Sequence, residues 1–192
     1  MKNKKTDKIL AIVFIILSIS FIAFAAINRS FFDWAFSRHH NVLSWYIRPV
    51  FLIPFCYFAY KRSLGGIFGT VFLLLTSMFW FQAPAQASSQ VQSFLAMEKE
   101  YLTGSWNAYK ILITLLVPLS LSALALAFWK RSLWIGISVL VFIAVAKMVW
   151  SVAFGNSAGT SVIAPAVIGL AICIALVIIG FKKLEKKKSA KQ

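Results

Sequence analysis

Six long apolar runs, separated by short polar or basic segments, constrain this chain more than any other feature. A helix needs about 20 predominantly apolar residues to cross the hydrocarbon core of a bilayer, and each run is at or near that length. The spans are predicted at 9–27, 42–60, 64–81, 111–129, 133–154 and 161–181. The sequence therefore predicts one all-α integral membrane domain over residues 1–192, with six transmembrane helices.

The composition excludes an ordinary soluble protein. Hydrophobic residues make up 60% of the chain, charged residues only 13%, and the mean hydropathy is +0.82, whereas soluble domains carry about 25% charged residues. Both cysteines, Cys56 and Cys173, lie inside apolar runs, where a free thiol usually acts as a small hydrophobic group.

The net charge of +15 follows the membrane topology and does not indicate a nucleic-acid partner. If the chain alternates across the bilayer, fourteen of the twenty Lys and Arg residues fall on one side: Lys2, Lys4, Lys5, Lys8, Lys61, Arg62, Lys130, Arg131, Lys182, Lys183, Lys186, Lys187, Lys188 and Lys191. The positive-inside rule then places both termini in the cytoplasm. We expect a plasma membrane, in a protein built like many small bacterial multi-pass proteins. The basic tail at 182–192 and the basic N-terminus would contact anionic lipids of the bilayer.

A short basic turn occurs twice. Residues 60–64 read Tyr-Lys-Arg-Ser-Leu, and residues 129–133 read Trp-Lys-Arg-Ser-Leu. Identities continue on both sides at one offset, apart from a one-residue insertion after the second turn. Self-similarity at a fixed offset is the signature of an internal repeat. The sequence therefore predicts a duplicated helical hairpin, with spans 2–3 matching spans 4–5 in the same orientation.

The first span has two interpretations. A basic start, an apolar run and Ala23-Phe24-Ala25 resemble a secretory signal with its cleavage site. We expect it to be retained, because the apolar run continues past that site to Ile27 and six spans close the topology. The third span carries Gly65 and Gly69, a GxxxG spacing that permits close contact with another helix.

The long outer gap contains a predicted amphipathic helix at 91–102. At about 100° per residue, Val91, Phe94, Leu95, Tyr101 and Leu102 share one face. Such a helix lies on the membrane surface with its apolar face turned inward.

Two charged residues stand out because each lies among apolar neighbours. Lys147 falls within the fifth span, and a charge at that depth costs several kcal/mol (about 3 or more) unless it is paired or wetted. Glu98 falls in the middle of the apolar face of the outer helix and needs a partner once it is buried. We expect the Lys147 ammonium to turn inward, within reach of Glu98 or a bound anion. The alternative is that Lys147 only snorkels to the interface.

Three further residues complete the predicted site. Arg48 directly precedes Pro49, so a regular helix beginning at Pro49 would leave Arg48 at its N-terminus. Pro54 predicts a bend in the same helix. Arg48 and Arg38 could bind a carboxylate or phosphate with two parallel hydrogen bonds, or simply anchor the interface. His39 is a weaker candidate.

No cofactor or metal is predicted. His39 and His40 are adjacent, so on a helix they diverge by about 100° and do not chelate as an i,i+4 pair would. No nucleophile–base pair, GxSxG or HExxH motif is present, so no motif supports an enzyme.

Three functions stay open from the sequence. The first is binding or transport of a small anionic or lipid-like solute at an outer-half polar site, since broken helices and ionisable residues at membrane depth recur in transporters. The second is a non-catalytic accessory or scaffold subunit of a membrane complex, and the third is a membrane enzyme acting on a lipid head group. The oligomeric state is left open. A wet cavity that reaches Lys147 would favour the first function, and a closed bundle the second.

Overall fold

The computed structural model describes residues 4–189, leaving aside the side chain of Lys188. Lys2, Lys191 and the end of the predicted basic tail lie outside the described residues. The described chain is all-α, without strands, and its helices are α1 (Lys4–Ile27), α2 (Arg29–His39), α3 (Leu43–Val50), α4 (Leu52–Tyr60), α5 (Leu64–Thr76), α6 (Ser89–Thr103), α7 (Ala108–Trp129), α8 (Leu133–Gly159) and α9 (Ile163–Ser189). Short 3-10 turns follow α5 at Ser77–Phe79 and α8 at Thr160–Val162.

Apolar helices of membrane-spanning length are present, as the hydropathy predicts. Three stretches within residues 4–189 are long and apolar enough, namely Lys4–Ile27, Ala108–Trp129 and Leu133–Lys187. A fourth is reached if α2 and Leu43–Tyr60, which meet at a bend of 91°, count as one span. Leu64–Phe79 is apolar but shorter. By length and composition the chain therefore has three to four candidate membrane-spanning helices.

The longest of these stretches contains a sharp break at Asn156. Its backbone there is non-helical, with φ 48° and ψ −131°. A Cβ atom built on Gly159 would lie 1.9 Å from the carbonyl oxygen of Ser151, although eight residues of straight helix would separate them by about 12 Å. The chain therefore turns sharply within the last turn of α8, and α9 packs back against α8.

The two Lys-Arg turns have the same backbone structure. In each, the arginine occupies the left-handed region, with φ 55° at Arg62 and 59° at Arg131. The same three hydrogen bonds close both turns: the Lys61, Arg62 and Ser63 amides donate to the carbonyls of Tyr57, Ala59 and Phe58, and the Lys130, Arg131 and Ser132 amides donate to those of Leu126, Phe128 and Ala127. This is the Schellman arrangement, which normally places glycine at the left-handed position.

Helix α1 packs along α5 through the predicted small-residue face. A Cβ built on Gly65 would lie 2.9 Å from the Asp7 carbonyl oxygen, and one on Gly69 would lie 3.1 Å from the Phe14 ring. The close contact predicted from the GxxxG spacing is therefore confirmed. Asp7 also caps α5, since its carboxylate accepts from the Ser63 hydroxyl at 2.5 Å and from the Leu64 amide at 2.9 Å.

Four segments meet at this end of the molecule. Besides the Asp7 cap, Arg62 Nε donates to the Trp129 carbonyl at 3.3 Å, which joins the two turns. The Arg131 guanidinium lies 5.0 Å from the Tyr60 ring centroid, and the Tyr60 hydroxyl donates to the Glu185 carboxylate on α9. The start of α1, both basic turns and the end of α9 therefore lie together.

The proline positions need one correction. The helix was expected to begin at Pro49, but α3 begins at Leu43 and contains Pro49. The break falls at Phe51, between α3 and α4, whose backbone stays in the right-handed region. Each proline lacks an N–H, so Pro49 and Pro54 both weaken this stretch. The helix is interrupted between them at Phe51, whose amide donates to the Arg48 carbonyl at 3.1 Å.

Candidate functional site

Helix α6 forms where the amphipathic helix was predicted, on the outer side of the predicted topology, and covers the end of the bundle away from the two Lys-Arg turns. Val91, Phe94 and Leu95 are at most 5% exposed and pack in a cluster with Phe36 and Trp45. The face predicted from the periodicity is therefore the buried one near its start. Leu102 was predicted on the same face but is 40% exposed, whereas the neighbouring Tyr101 ring packs 5.2 Å from that of Trp150 on α8.

Lys147 and Glu98 meet, as the sequence predicted. Lys147 Nζ lies 3.1 Å from Glu98 Oε1, and the ammonium also lies 4.5 Å from the Trp150 ring centroid and 5.5 Å from that of Phe94. The Glu98 side chain is 16% exposed and that of Lys147 is 43% exposed. The pair joins α6 to α8, with the acid mostly buried and the ammonium more exposed.

His39 and Arg48 lie on the other side of the same carboxylate. His39 Nε2 is 3.6 Å from Glu98 Oε2 and 3.4 Å from Arg48 Nη1, both long for a hydrogen bond. Its Nδ1 lies 3.0 Å from the hydroxyl oxygen of the fully buried Ser44. Since one ring nitrogen cannot donate and accept at once, the neutral imidazole satisfies either Arg48 or Glu98. We call Glu98, Lys147, His39 and Arg48 the outer ionic cluster.

Electrostatics in the cluster favour a charged acid and a neutral imidazole. Burial acts to raise the pKa of Glu98, but the Lys147 charge, the contact with His39 and the Arg48 charge outweigh it and lower that pKa. Burial, reinforced by the Arg48 charge, lowers the pKa of His39 to about 4. The cluster therefore holds two side-chain cations, Arg48 and Lys147, against one carboxylate.

Arg48 is incompletely satisfied by the protein. Its Nε is buried and has no hydrogen-bond partner among the described residues. A buried donor without a partner costs about 1–3 kcal/mol, and more when it is charged. An acceptor from outside the described chain would remove that cost.

Arg38 does not join the cluster. Its Nε donates to the Phe79 carbonyl at 2.7 Å, and its guanidinium lies 5.2 Å from the Trp34 ring centroid. Although Arg38 and His39 are adjacent, helix geometry sends their side chains in different directions. A ligand-binding role for Arg38 stays a prediction that these contacts do not support.

A second ion pair was missed in the sequence. Lys99 Nζ lies 2.7 Å from Asp33 Oδ1 and ties α6 to α2. The hydrogen bond from Lys99 is the main cause that lowers the pKa of Asp33. Only the charges themselves could have signalled this pair, because Asp33 and Lys99 are far apart in the chain and neither stands out locally.

Among residues 4–189, no group of three or more His, Cys, Asp or Glu side chains is placed to hold a metal ion. Neither the crevice lined by Ser37, His40 and residues 83–87 nor the groove between α4, α7 and α9 is lined by members of the outer ionic cluster. Neither of these two cavities reaches Lys147, whose side chain is the exposed member of its ion pair with Glu98, at 43%.

Comparison with known protein families, with curated proteins and with solved structures finds no match to this chain.

Proposed function

We propose that this chain is a six-span membrane protein whose outer ionic cluster binds a small anion or the anionic head of a lipid-like solute. The observation that carries the proposal is the buried Arg48 Nε without a partner, in a cluster with two cations and one carboxylate. A buried cationic donor that has no partner among the described residues, as Arg48 Nε has none, calls for an outside acceptor. Transport of the bound solute is the stronger form of the same proposal.

The break at Asn156 supports the six-span topology. It divides the stretch Leu133–Lys187 into two helices that pack together, so this stretch supplies two spans. Helix α1, Leu43–Tyr60, Leu64–Phe79 and α7 supply the others. The meeting of both basic turns with the start of α1 and the end of α9 supports cytoplasmic placement of both termini by the positive-inside rule.

The shared backbone of the two Lys-Arg turns supports the proposed duplication. A further parallel lies across each turn, where a phenylalanine packs over a glycine eight residues later. A Cβ built on Gly66 would lie 2.2 Å from the Phe58 ring, and one on Gly136 would lie 2.4 Å from the Phe128 ring. The hairpins differ above the turn, since α3 and α4 are separated at Phe51 whereas α7 continues through Pro118.

A scaffold role is the second candidate. The contacts of α6 favour it, and so does the fact that neither cavity described above reaches Lys147. Lys147–Glu98 and Lys99–Asp33 fix this outer helix to α8 and α2. In that role, the ionic cluster would only hold the cap in place, and the outer surface would serve a partner protein.

Anion titration of the purified protein separates the two functions. Phosphate, sulfate and acetate are titrated in detergent while tryptophan fluorescence and thermal stability are recorded, and co-purified lipids and solutes are identified by mass spectrometry. Arg48→Gln is compared with Arg38→Gln, which removes an equal charge one residue before His39 but outside the cluster. We expect Arg38→Gln to bind as the wild type does and Arg48→Gln to bind at least tenfold more weakly.

The scaffold alternative gives a different result. If no anion alters the fluorescence or stability of the wild type, and a folded Arg48→Gln behaves in the same way, the binding proposal is wrong. Uptake of the bound anion into vesicles containing the protein then separates transport from binding alone.

A further inference from the structure

A second feature lies at the opposite end of the bundle. A groove of about 320 Å³ runs between α4, α7 and α9. Its walls are apolar apart from a thiol and two tyrosine hydroxyls, and they include Pro54, Tyr57, Tyr60, Phe128, Leu176 and Gly180. None of these residues belongs to the outer ionic cluster, so the groove is a separate site.

The groove opens sideways on the helix bundle. Tyr57 is 45% exposed and Leu176 is 46% exposed, although both stand on apolar helices. A Cβ built on Gly180 would meet no atom within 4 Å. Side chains that line an empty groove lack dispersion contacts on one side. In a bilayer, the acyl chain of a lipid supplies those contacts.

Two cations mark one end of this groove. Lys61 Nζ lies 5.7 Å from the Tyr57 ring centroid, and the Arg131 guanidinium lies 5.0 Å from that of Tyr60. Both tyrosines line the groove, so each cation sits directly over a wall residue. The nearby acid, Glu185, already accepts a hydrogen bond from the Tyr60 hydroxyl. The balance of charge at this end is therefore positive.

This combination defines the occupant. Acyl chains are as apolar as the leucine side chains of a helix. An apolar groove alone would therefore not distinguish one lipid from another. Selection has to come from the head group, and arginine and lysine at the membrane surface attract anionic phosphates. We propose that the groove holds one acyl chain of an anionic glycerophospholipid, whose phosphate binds Lys61 and Arg131.

Native mass spectrometry tests this directly. The full chain is reconstituted in vesicles of equal parts phosphatidylglycerol and phosphatidylcholine, extracted in mild detergent, and the lipids retained per chain are counted. We expect one phosphatidylglycerol, retained about tenfold over phosphatidylcholine. Gly180→Leu, whose Cβ would meet no atom within 4 Å, adds an apolar side chain to the groove wall and should lower the retention of both lipids. The double variant Lys61→Gln, Arg131→Gln should keep a lipid but lose the preference.

Lys110→Gln is the matched control, because it removes a cation near the outer end of the molecule, and it should retain phosphatidylglycerol as the wild type does. Equal retention of the two lipids by the wild type would overturn the charge argument. Unchanged retention in Gly180→Leu would overturn the groove as the site. If Gly180→Leu instead converts a dimer to a monomer with no change in lipid, a second copy of the chain covers the groove and the proposal is wrong.

Discussion

Lys147→Met tests whether the Glu98 carboxylate depends on the ammonium that reaches it. Removing one partner of a fully buried ion pair costs about 3–5 kcal/mol, whereas exposed pairs contribute about 0.2–1 kcal/mol. Glu98 is 16% exposed, but Lys147 is 43% exposed, and Arg48 stays close to the acid. We therefore expect Lys147→Met to lower the free energy of unfolding by about 2 kcal/mol.

The double variant shows how much of this loss belongs to the pair. Adding Glu98→Gln removes the stranded charge, so we expect a coupling energy of about 1–1.5 kcal/mol in a double-mutant cycle. The assay is unfolding of the protein by sodium dodecyl sulfate in dodecyl maltoside micelles, followed by circular dichroism.

Lys99→Met is the control for this cycle, since its exposed pair with Asp33 lies on the same helix. It should cost at most about 1 kcal/mol and add independently to Lys147→Met. A fully stable Lys147→Met with coupling near zero would refute the reasoning. Lys147 would then only snorkel to the interface.

Three further results are expected from the same unfolding assay. Gly159→Ala should lower the free energy of unfolding by more than about 3 kcal/mol, because its Cβ would collide with the Ser151 carbonyl. Gly180→Ala, whose Cβ meets no atom within 4 Å, should change it by less than about 1 kcal/mol. Equal effects would contradict the sharp turn at the end of α8. Between pH 4 and 6.5, residue His39 binds a proton in the unfolded chain but not in the folded one. The free energy of unfolding should therefore rise with pH over this range by up to about 3 kcal/mol. His39→Gln should make it nearly independent of pH there. Asp7→Ala should cost about 1–2 kcal/mol, because the Ser63 hydroxyl and the Leu64 amide lose their acceptor while Ser63 still caps Gly66. No loss of stability would contradict a structural role for this contact.

The sequence predicts helices well where one physical signal dominates. Long apolar runs locate α1, α7, α8 and α9, and the 3.6-residue period locates α6. The start of α3 was mispredicted, because the rule that proline begins a helix competes with the tolerance of membrane helices for internal proline. The relative placement of the helices is not readable in this way, since the Asp7 cap joins residues 56 positions apart.

The ionic cluster was partly predictable for a similar reason. Lys147 and Glu98 are each the wrong kind of residue for their surroundings, so each needs a partner, and the two can satisfy each other. Which of the two neighbours, Arg38 or His39, faces Glu98 depends on the rotation of α2 about its axis. That rotation depends on packing of its aromatic residues, such as Phe36, and local sequence does not determine it.

The scarcity of acids connects the two proposed sites. The chain has five Asp and Glu residues against twenty Lys and Arg residues. Four of the acids lie at junctions: Asp7 joins α1 to α5, Asp33 joins α2 to α6, Glu98 joins α6 to α8, and Glu185 joins α9 to α4. Because the acids are so outnumbered, most cations must find their counter-charges outside the chain. In a membrane the nearest anions are lipid phosphates at the surface, which suit the basic turns, while the outer ionic cluster, with its buried Arg48 Nε, suits an anion small enough to enter beside Lys147.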